Sequence, residues 1–364
     1  MTTATALRLF DIAVLPGDGI GPEVIDATVP LLEALCHDTP FGFRFREHPA
    51  GAEHYRRTGL ALPEATLEAA RTADAVLFGA MGWPEIRYPD GTEIAPQLDL
   101  RVELDLYAGV RPARAIPGIA PPLTDPRAAG IDLVVIREST EGLFVSRGKG
   151  SLVDDAEATD RLTITRAGSE RVHDFAFRLA RHRRQRGRPG RVTCVDKANV
   201  FLSMAFFRRI FDERAARFPD VEACHNYIDA TALDMIRKPW DYDVMVTENM
   251  FGDILSDLTA GLVGGMGFAP SADVGDNHAL FQPCHGSAPD IAGQGRANPT
   301  ATILSAAMML DWLAERHALP EMAVAAEKLE RAVDAAYASG RLRPFELGGS
   351  DGTNAVAAAI ASNL

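Results

Sequence analysis

Short runs of apolar and β-branched residues alternate with longer stretches in which apolar positions recur at helical spacing, the rhythm of an α/β sheet protein. The runs Asp11 to Leu15, Ala75 to Phe78, Ile131 to Ile136, Val192 to Val195, Tyr242 to Thr247 and Ala279 to Gln282 predict strands. The stretches Glu23 to Cys36, Ser169 to Arg181, Asp253 to Val263, Ala301 to Glu315 and Pro320 to Ala338 predict helices. No internal repeat or low-complexity tract interrupts them. The polar stretch Ser146 to Thr163 reads as an excursion from the core rather than a linker.

The predicted strands run into polar residues: Arg137-Glu138, Asp196-Lys197, Glu248-Asn249 and the glycine-rich Gly79-Ala80-Met81-Gly82. In open α/β sheets the ligand crevice lies beyond the carboxyl ends of the strands, so these residues are candidates for one site. Near the N-terminus, LPGDGIGPE resembles a dinucleotide fingerprint without being one. Gly17 and Gly19 are followed by Gly21 and then Pro22, so a proline stands where the third glycine belongs. A tight strand-to-helix turn with Pro22 in the first helical turn is the physical reading.

The bulk composition narrows the function classes. With 364 residues, 47% hydrophobic and 24% charged, the chain suffices for one large globular domain or two ordinary ones. A net charge of -13 leaves no basic surplus for nucleic acid or an acidic membrane, and an anionic substrate must be gathered by local arginines. Cys36, Cys194, Cys224 and Cys284 are widely spaced and form no C-x-x-C pair, which fits reduced thiols rather than a disulfide frame or zinc site. Arg8 and Asp11 break any apolar leader. No run of about 18 apolar residues is present to span a membrane. A cytoplasmic enzyme is the expectation.

In ENMFGDILSDLTAGL, Asp253 and Asp257 are four apart, so on a helix their carboxylates point the same way. Such hard oxygen donors suit Mg²⁺ or Mn²⁺, with Asp229 of YIDATALDM as a third candidate. The alternative is that Asp253 caps the helix and Asp257 faces water. Lysine occurs only at positions 149, 197, 238 and 328, and Lys197 directly follows an apolar strand. A buried amine there can serve in proton transfer; a solvated strand-end contact is the alternative. Arg101, Arg111 and Arg137 suit two-point contacts with a multi-carboxylate substrate, or are surface residues. The loop PCHGSAPDIAGQGRANP lets backbone approach a flat ligand, with Asn298 capping and Pro299 opening the helix that follows. Asp290 in that loop suits a ribose diol and would repel a 2′-phosphate, which points to NAD.

Taken together, LPGDGIGPEV, LRVELDLYAGVRP, VVIREST, DKANV, YIDA, ENMFGDILSD and HGSAPDIAGQGRANPTATILSAAMML resemble the β-decarboxylating dehydrogenases, the isopropylmalate, isocitrate, homoisocitrate and tartrate/D-malate enzymes, from about residue 11 onward. The resemblance implies a three-layer α/β/α fold of two domains without Rossmann topology. Residues 1–106 and 264–364 would form the NAD-binding domain. Residues 107–263 would form a smaller dimerisation and substrate domain, with a clasping arm near 143–165. It implies that Arg101, Arg111 and Arg137 hold the malate moiety, and that Asp253 and Asp257 bind Mg²⁺ or Mn²⁺ with Asp229 of a partner subunit. Lys197, also from the partner, would move the hydroxyl proton, making Lys197 and Asp229 the catalytic pair. His285, Gly286, Ser287, Ala288, Asp290 and Asn298 would receive NAD, and a homodimer with shared active sites follows as an expectation.

One position departs from that pattern. Where the family carries Tyr after the REST-like segment, RESTEGLF has Phe144, so the phenol that would protonate the final enol is missing. Ser146 or water are substitutes to consider, and a weakened or regulatory homologue is an alternative. Before Arg101, isopropylmalate enzymes carry two leucines, isocitrate enzymes small polar residues and homoisocitrate enzymes an extra Arg. Here Gln97 and Leu98 stand there, with Asn199 and Val200 in DKANV and no extra Arg. Leu98 and Val200 favour a 3-alkylmalate such as 3-isopropylmalate; Gln97 keeps D-malate or tartrate open, and isocitrate and homoisocitrate fit less well. A generic phosphate-loop module is excluded because no G-x-x-x-x-G-K-[ST] occurs.

Overall fold

The computed structural model describes residues 7–364; residues 1–6, part of the start considered for a leader, lie outside the described residues. The strands are β1 (Arg8–Gly17), β2 (Phe41–Glu47), β3 (Ala75–Ala80), β4 (Ala108–Arg114), β5 (Asp132–Glu138) and β6 (Ser151–Val153). They continue with β7 (Glu157–Thr159), β8 (Arg191–Asp196), β9 (Glu222–Tyr227), β10 (Val244–Thr247), β11 (Pro270–Val274) and β12 (Ala279–Pro283). Apart from β6 and β7 they form one sheet in the order β2-β1-β3-β12-β11-β4-β5-β10-β8-β9. Its flanks are parallel, whereas β12, β11, β4 and β5 pair antiparallel in the middle, so the topology is not that of a Rossmann domain. Strands from 1–106 and 264–364 lie on one side of the β11–β4 pairing and strands from 107–263 on the other, and that pairing joins them without a break.

The period-2 alternation of side chains sorts the sheet into two unlike faces. Phe10, Leu77, Val110, Ile136, Val246 and Phe281 point into one core that runs the length of the sheet beneath helices Gly21–Leu35, Arg166–Gln185 and Thr300–His317. The other face carries two separate cores. One gathers Leu15, Phe78, Leu100 and Leu280; the other gathers Val135, Val195, Met245 and Leu255. Between them lies a stretch of the sheet face that belongs to neither apolar core, and that gap positions the site.

All five expected helices form, with shifted ends. The one expected from Asp253 begins at Asn249, because Glu248 accepts hydrogen bonds from the Met250 and Phe251 amides at 3.1 and 2.7 Å and so caps it. Asp253 therefore lies in the second turn and is not the cap. Pro22 falls in the first turn of Gly21–Leu35 as expected. The polar excursion contains the hairpin β6–β7, whose six residues are all exposed, Leu152 at 68% and Val153 at 54%. The four cysteines are free thiols. Among the described residues no helix is long and apolar enough to cross a membrane.

One buried group sets a pH dependence of stability. His173 lies fully buried against Phe207 and Phe211 with both ring nitrogens unpartnered. Burial, helped by the Arg214 charge, pushes it down to about 3. The unfolded chain takes up the proton below the ordinary value near 6.5 while the folded chain does not. Stability is therefore complete above that value and falls as pH drops toward 3. His173→Leu is expected to flatten this slope by up to about 1.4 kcal/mol per pH unit, measured by urea unfolding from pH 7 to 4.

Candidate active site

Arg111, Arg137, Asp273 and Gln282 alternate with the core residues of β4, β5, β11 and β12, so they rise from the sheet into the gap between the two smaller cores. Gly109 pairs with both Arg137 and Asp273, leaving no side chain between them. Arg101 enters from helix Pro96–Glu103. All three arginines are buried, at 6%, 5% and 3% exposure for Arg101, Arg111 and Arg137, which removes the surface alternative. They line one cavity of about 260 Å³ together with Gln97, Leu98, Phe144, Asp253, Asp257, His285 and Gly286.

Asp273 is the residue that sequence reasoning missed. Its carboxylate accepts hydrogen bonds from Arg101 Nε at 3.1 Å, Arg111 Nη2 at 2.8 Å and Gln282 Nε2 at 2.8 Å. Burial opposes its ionisation, but the Arg101 and Arg111 charges hold it down to about 2. Its arginine partners lie 172 and 162 positions away in the chain, so no local spacing signals those contacts.

Arg137 donates from Nε to Asn249 Oδ1 at 2.8 Å and from Nη1 to Asp253, while Nη2 is buried without a partner. Burial first, then the Arg101 charge, pull it down to about 10 against the attraction of Asp253. Gly252 makes this approach possible: a Cβ there would stand 2.6 Å from Arg137 Cβ. Asp257, one turn beyond Asp253, has no ion-pair partner among the described residues; burial and then the Asp253 charge raise its pKa.

The Phe144 ring lies 4.7 Å from the Arg137 guanidinium, a cation–π contact. Beyond Leu98 and Phe144 the cavity continues into a second compartment of about 330 Å³, walled by Ala95, Leu98, Leu143 and Phe144 with Glu93, Arg147 and Asp160. The sequence suggested no additional arginine here, but the turn after Phe144 brings Arg147 in. Its Nη2 pairs with Asp99 at 2.6 Å and its Nη1 is buried and unpartnered. Ser146 is excluded as a proton source: it is buried, absent from both cavity walls, and its hydroxyl donates to the Arg161 carbonyl at 2.5 Å.

The loop after β12 is held against the N-terminal turn. Ile20 N donates to the Ser287 carbonyl at 2.8 Å, and Gly19 cannot carry a side chain, since its Cβ would lie 2.0 Å from that oxygen. The Ser287 hydroxyl donates to the Gly82 carbonyl, and Ala288 takes the left-handed φ of 39°. Asp18 of the same turn accepts from the Ala52, Glu53 and Gly82 amides at 2.7, 2.9 and 2.9 Å, so the glycine-rich motif is a structural clamp. Gly286 faces open space, Asp290 is exposed, and Asn298 Oδ1 accepts from the Thr300 amide at 3.2 Å and from its hydroxyl at 2.7 Å, with Pro299 between it and the helix that begins at Thr300. His285 Nε2 is buried and unpartnered.

Lys197 and Asp229 do not join this cavity. They meet each other at 2.6 Å, Lys197 following β8 and Asp229 opening helix Ile228–Arg237, and the hydrogen bond from Lys197 lowers the Asp229 pKa. Asn199 and Val200 beside them are exposed and also absent from the cavity wall. Consistent with that separation, no three His, Cys, Asp or Glu side chains among the described residues cluster closely enough to hold a metal.

Comparison with known proteins gives one consistent neighbourhood. The family model described as "Isocitrate/isopropylmalate dehydrogenase" matches residues 11–360. A 3-isopropylmalate/3-methylmalate dehydrogenase of Methanocaldococcus jannaschii is 46% identical, the match covering 98% of this chain and 99% of that one. A 3-isopropylmalate dehydrogenase of Moorella thermoacetica is 43% identical over 92% of this chain and 93% of its own. Among solved structures, an isocitrate dehydrogenase from Methylococcus capsulatus superposes with a TM-score of 0.85 at 37% identity, covering 97% of this chain and 99% of that one.

Proposed function

Because the chain belongs to the isocitrate/isopropylmalate dehydrogenase family, we propose that it oxidises a 3-alkylmalate, 3-isopropylmalate in the first instance, with NAD and a divalent metal. The observation that carries this reading is the convergence of unsatisfied polar atoms on one arginine-lined cavity. Arg137 Nη2, Gln97 Oε1, His285 Nε2 and Ser271 Oγ are all buried without partners and all belong to its wall. Buried polar groups are normally paired, so such a concentration marks a ligand's place.

In this proposal the free nitrogens of Arg101 and Arg137, with Arg111 behind them, hold the two malate carboxylates. Asp253 and Asp257 fit a divalent cation, since two carboxylates one helical turn apart on a cavity wall repel each other otherwise. Mg²⁺ or Mn²⁺ held there would lower the pKa of the substrate hydroxyl and draw electrons from the new carbonyl. Lys197 would move the hydroxyl proton, its Nζ positioned 2.6 Å from the Asp229 carboxylate. Since this pair lies outside its own chain's cavity, it serves the cavity of a second copy. Exposed apolar side chains support such a homodimer: Val200, Phe201 and Leu202 follow Lys197 in the chain, Leu233 and Ile236 share helix Ile228–Arg237 with Asp229, and Ile254 lies on the helix packed against it. The open backbone at Gly286 and the exposed Asp290 suit NAD, and a division into residues 1–106 with 264–364 and residues 107–263 belongs to the same reading.

Gln97 favours a second reading. Its unpartnered Oε1 beside Leu98 suits a substituent bearing a hydroxyl, as in tartrate, or none, as in D-malate. One assay separates these: NADH and CO₂ formation with Mn²⁺ from D-malate, tartrate, 3-isopropylmalate, isocitrate and homoisocitrate. The largest kcat/KM is expected with 3-isopropylmalate; NAD binding without turnover of any of them sinks the proposal. Phe144 puts only a ring edge or face where a proton must be delivered to the enol. Phe144→Tyr is therefore expected to raise the rate at which the decarboxylated ketone appears by about tenfold.

A further inference from the structure

We propose that Asp273 sets the charge of the substrate cradle to match two carboxylates, so that the site selects dicarboxylic hydroxy acids and rejects tricarboxylic ones. This rests on the reading of Arg101, Arg111 and Arg137 as the substrate's anchors. Asp273 lies at the base of the cradle, 1% exposed, gripping Arg101 Nε, Arg111 Nη2 and Gln282 Nε2. It positions the two guanidinium groups, because each is tied down through one nitrogen.

It also cancels one of the three positive charges. A divalent cation held there would be balanced by Asp253 and Asp257, and the Lys197–Asp229 pair adds no net charge, so the cradle would retain two positive charges for two substrate carboxylates. In a buried site of low dielectric, an unmatched charge is costly. A third carboxylate would have to sit in the compartment beyond Leu98 and Phe144. That compartment offers apolar walls and the acidic Glu93 and Asp160, and its single cation, Arg147, is already paired with Asp99. Both the floor and the annex therefore disfavour a tricarboxylate. The opposing feature is the free Nη1 of Arg147, which would anchor a third carboxylate if the Asp99 pair did not neutralise it.

Binding of succinate and tricarballylate, neither of which is turned over, tests this by calorimetry on the Mn²⁺-loaded protein. Succinate is expected to bind at least about tenfold more tightly. Asp273→Asn, nearly isosteric, is expected to shift that ratio by about tenfold toward tricarballylate, a change that loss of packing alone would not produce. Equal or tighter binding of tricarballylate by the unaltered protein overturns the proposal, even if the variant does not fold. An unchanged ratio in a folded Asp273→Asn also overturns it, and Arg147 then becomes the anchor of a third carboxylate. Neither anion binding sinks the cradle itself, whereas the expected preference without NADH formation from any substrate sinks the enzymatic reading and leaves this one standing.

Discussion

Lys197→Met is expected to lower kcat by about a thousandfold or more while leaving NAD binding and folding intact. In the proposed site the amine has no ready replacement: the cavity's carboxylates are engaged by arginines or assigned to the cation, apart from Glu93, which it shares with the second compartment, and burial lowers the pKa of His285. The half-exposed ion pair with Asp229 adds little to stability, so the loss is chemical and not structural. The stronger consequence concerns which chain supplies the amine. If Lys197 serves the cavity of a second copy, Lys197→Met and Arg137→Leu are each inactive alone and complement when mixed. A heterodimer of the two carries one site with both lesions and one site with none. Random reassortment of equal amounts makes half of the dimers heterodimers, so about a quarter of the original activity is expected to return. Activity measured after co-refolding or after dissociation and exchange checks this. No recovery, in a mixture that demonstrably forms heterodimers, removes the shared-site arrangement.

The separation of Lys197 from the cavity is where sequence and structure meet on unequal terms. The α/β class, the helical spacing of Asp253 and Asp257, and the turn at Pro22 were legible because they depend on local periodicity. Strands β4 and β11 were not. Their sequences AGVRPAR and PSADV carry arginine, proline and aspartate where a central strand ordinarily carries apolar residues. Those residues belong to the candidate site: alternation sends Arg111 and Asp273 to the face opposite the large core, where they replace the apolar pattern that marks a strand. The cap of helix Asn249–Gly261 was misplaced for a related reason. Glu248 and Asn249 stood among the strand-end candidates for the site, but no local pattern showed that Glu248 caps the helix backbone while Asn249 accepts from Arg137. The Arg147–Asp99 pair depends on a turn through Phe144 to Ser146 that has no periodicity to read.

Arg137→Leu, the partner in the complementation, is also expected to show that its site is held at a cost to the fold. Its kcat/KM is expected to fall by about a thousandfold, because the variant loses a desolvated, charge-assisted contact to a substrate carboxylate. Stability is expected to move the other way. Burial and the neighbouring Arg101 charge both disfavour the Arg137 cation, and Nη2 has no partner to offset its loss of water. Replacing an incompletely satisfied buried charge by an apolar side chain of similar bulk is commonly neutral or stabilising. Two features limit the gain: Asn249 Oδ1 loses its donor, and the Phe144 ring loses its cation. Asp253 remains half-exposed and is rehydrated rather than stranded. The expected outcome is therefore an equal or higher Tm together with collapsed kcat/KM, measured on the same preparation. A fall of Tm by many degrees with a parallel fall in activity would instead make Arg137 a structural arginine whose buried nitrogen is satisfied by water, and would remove the main support for the cradle.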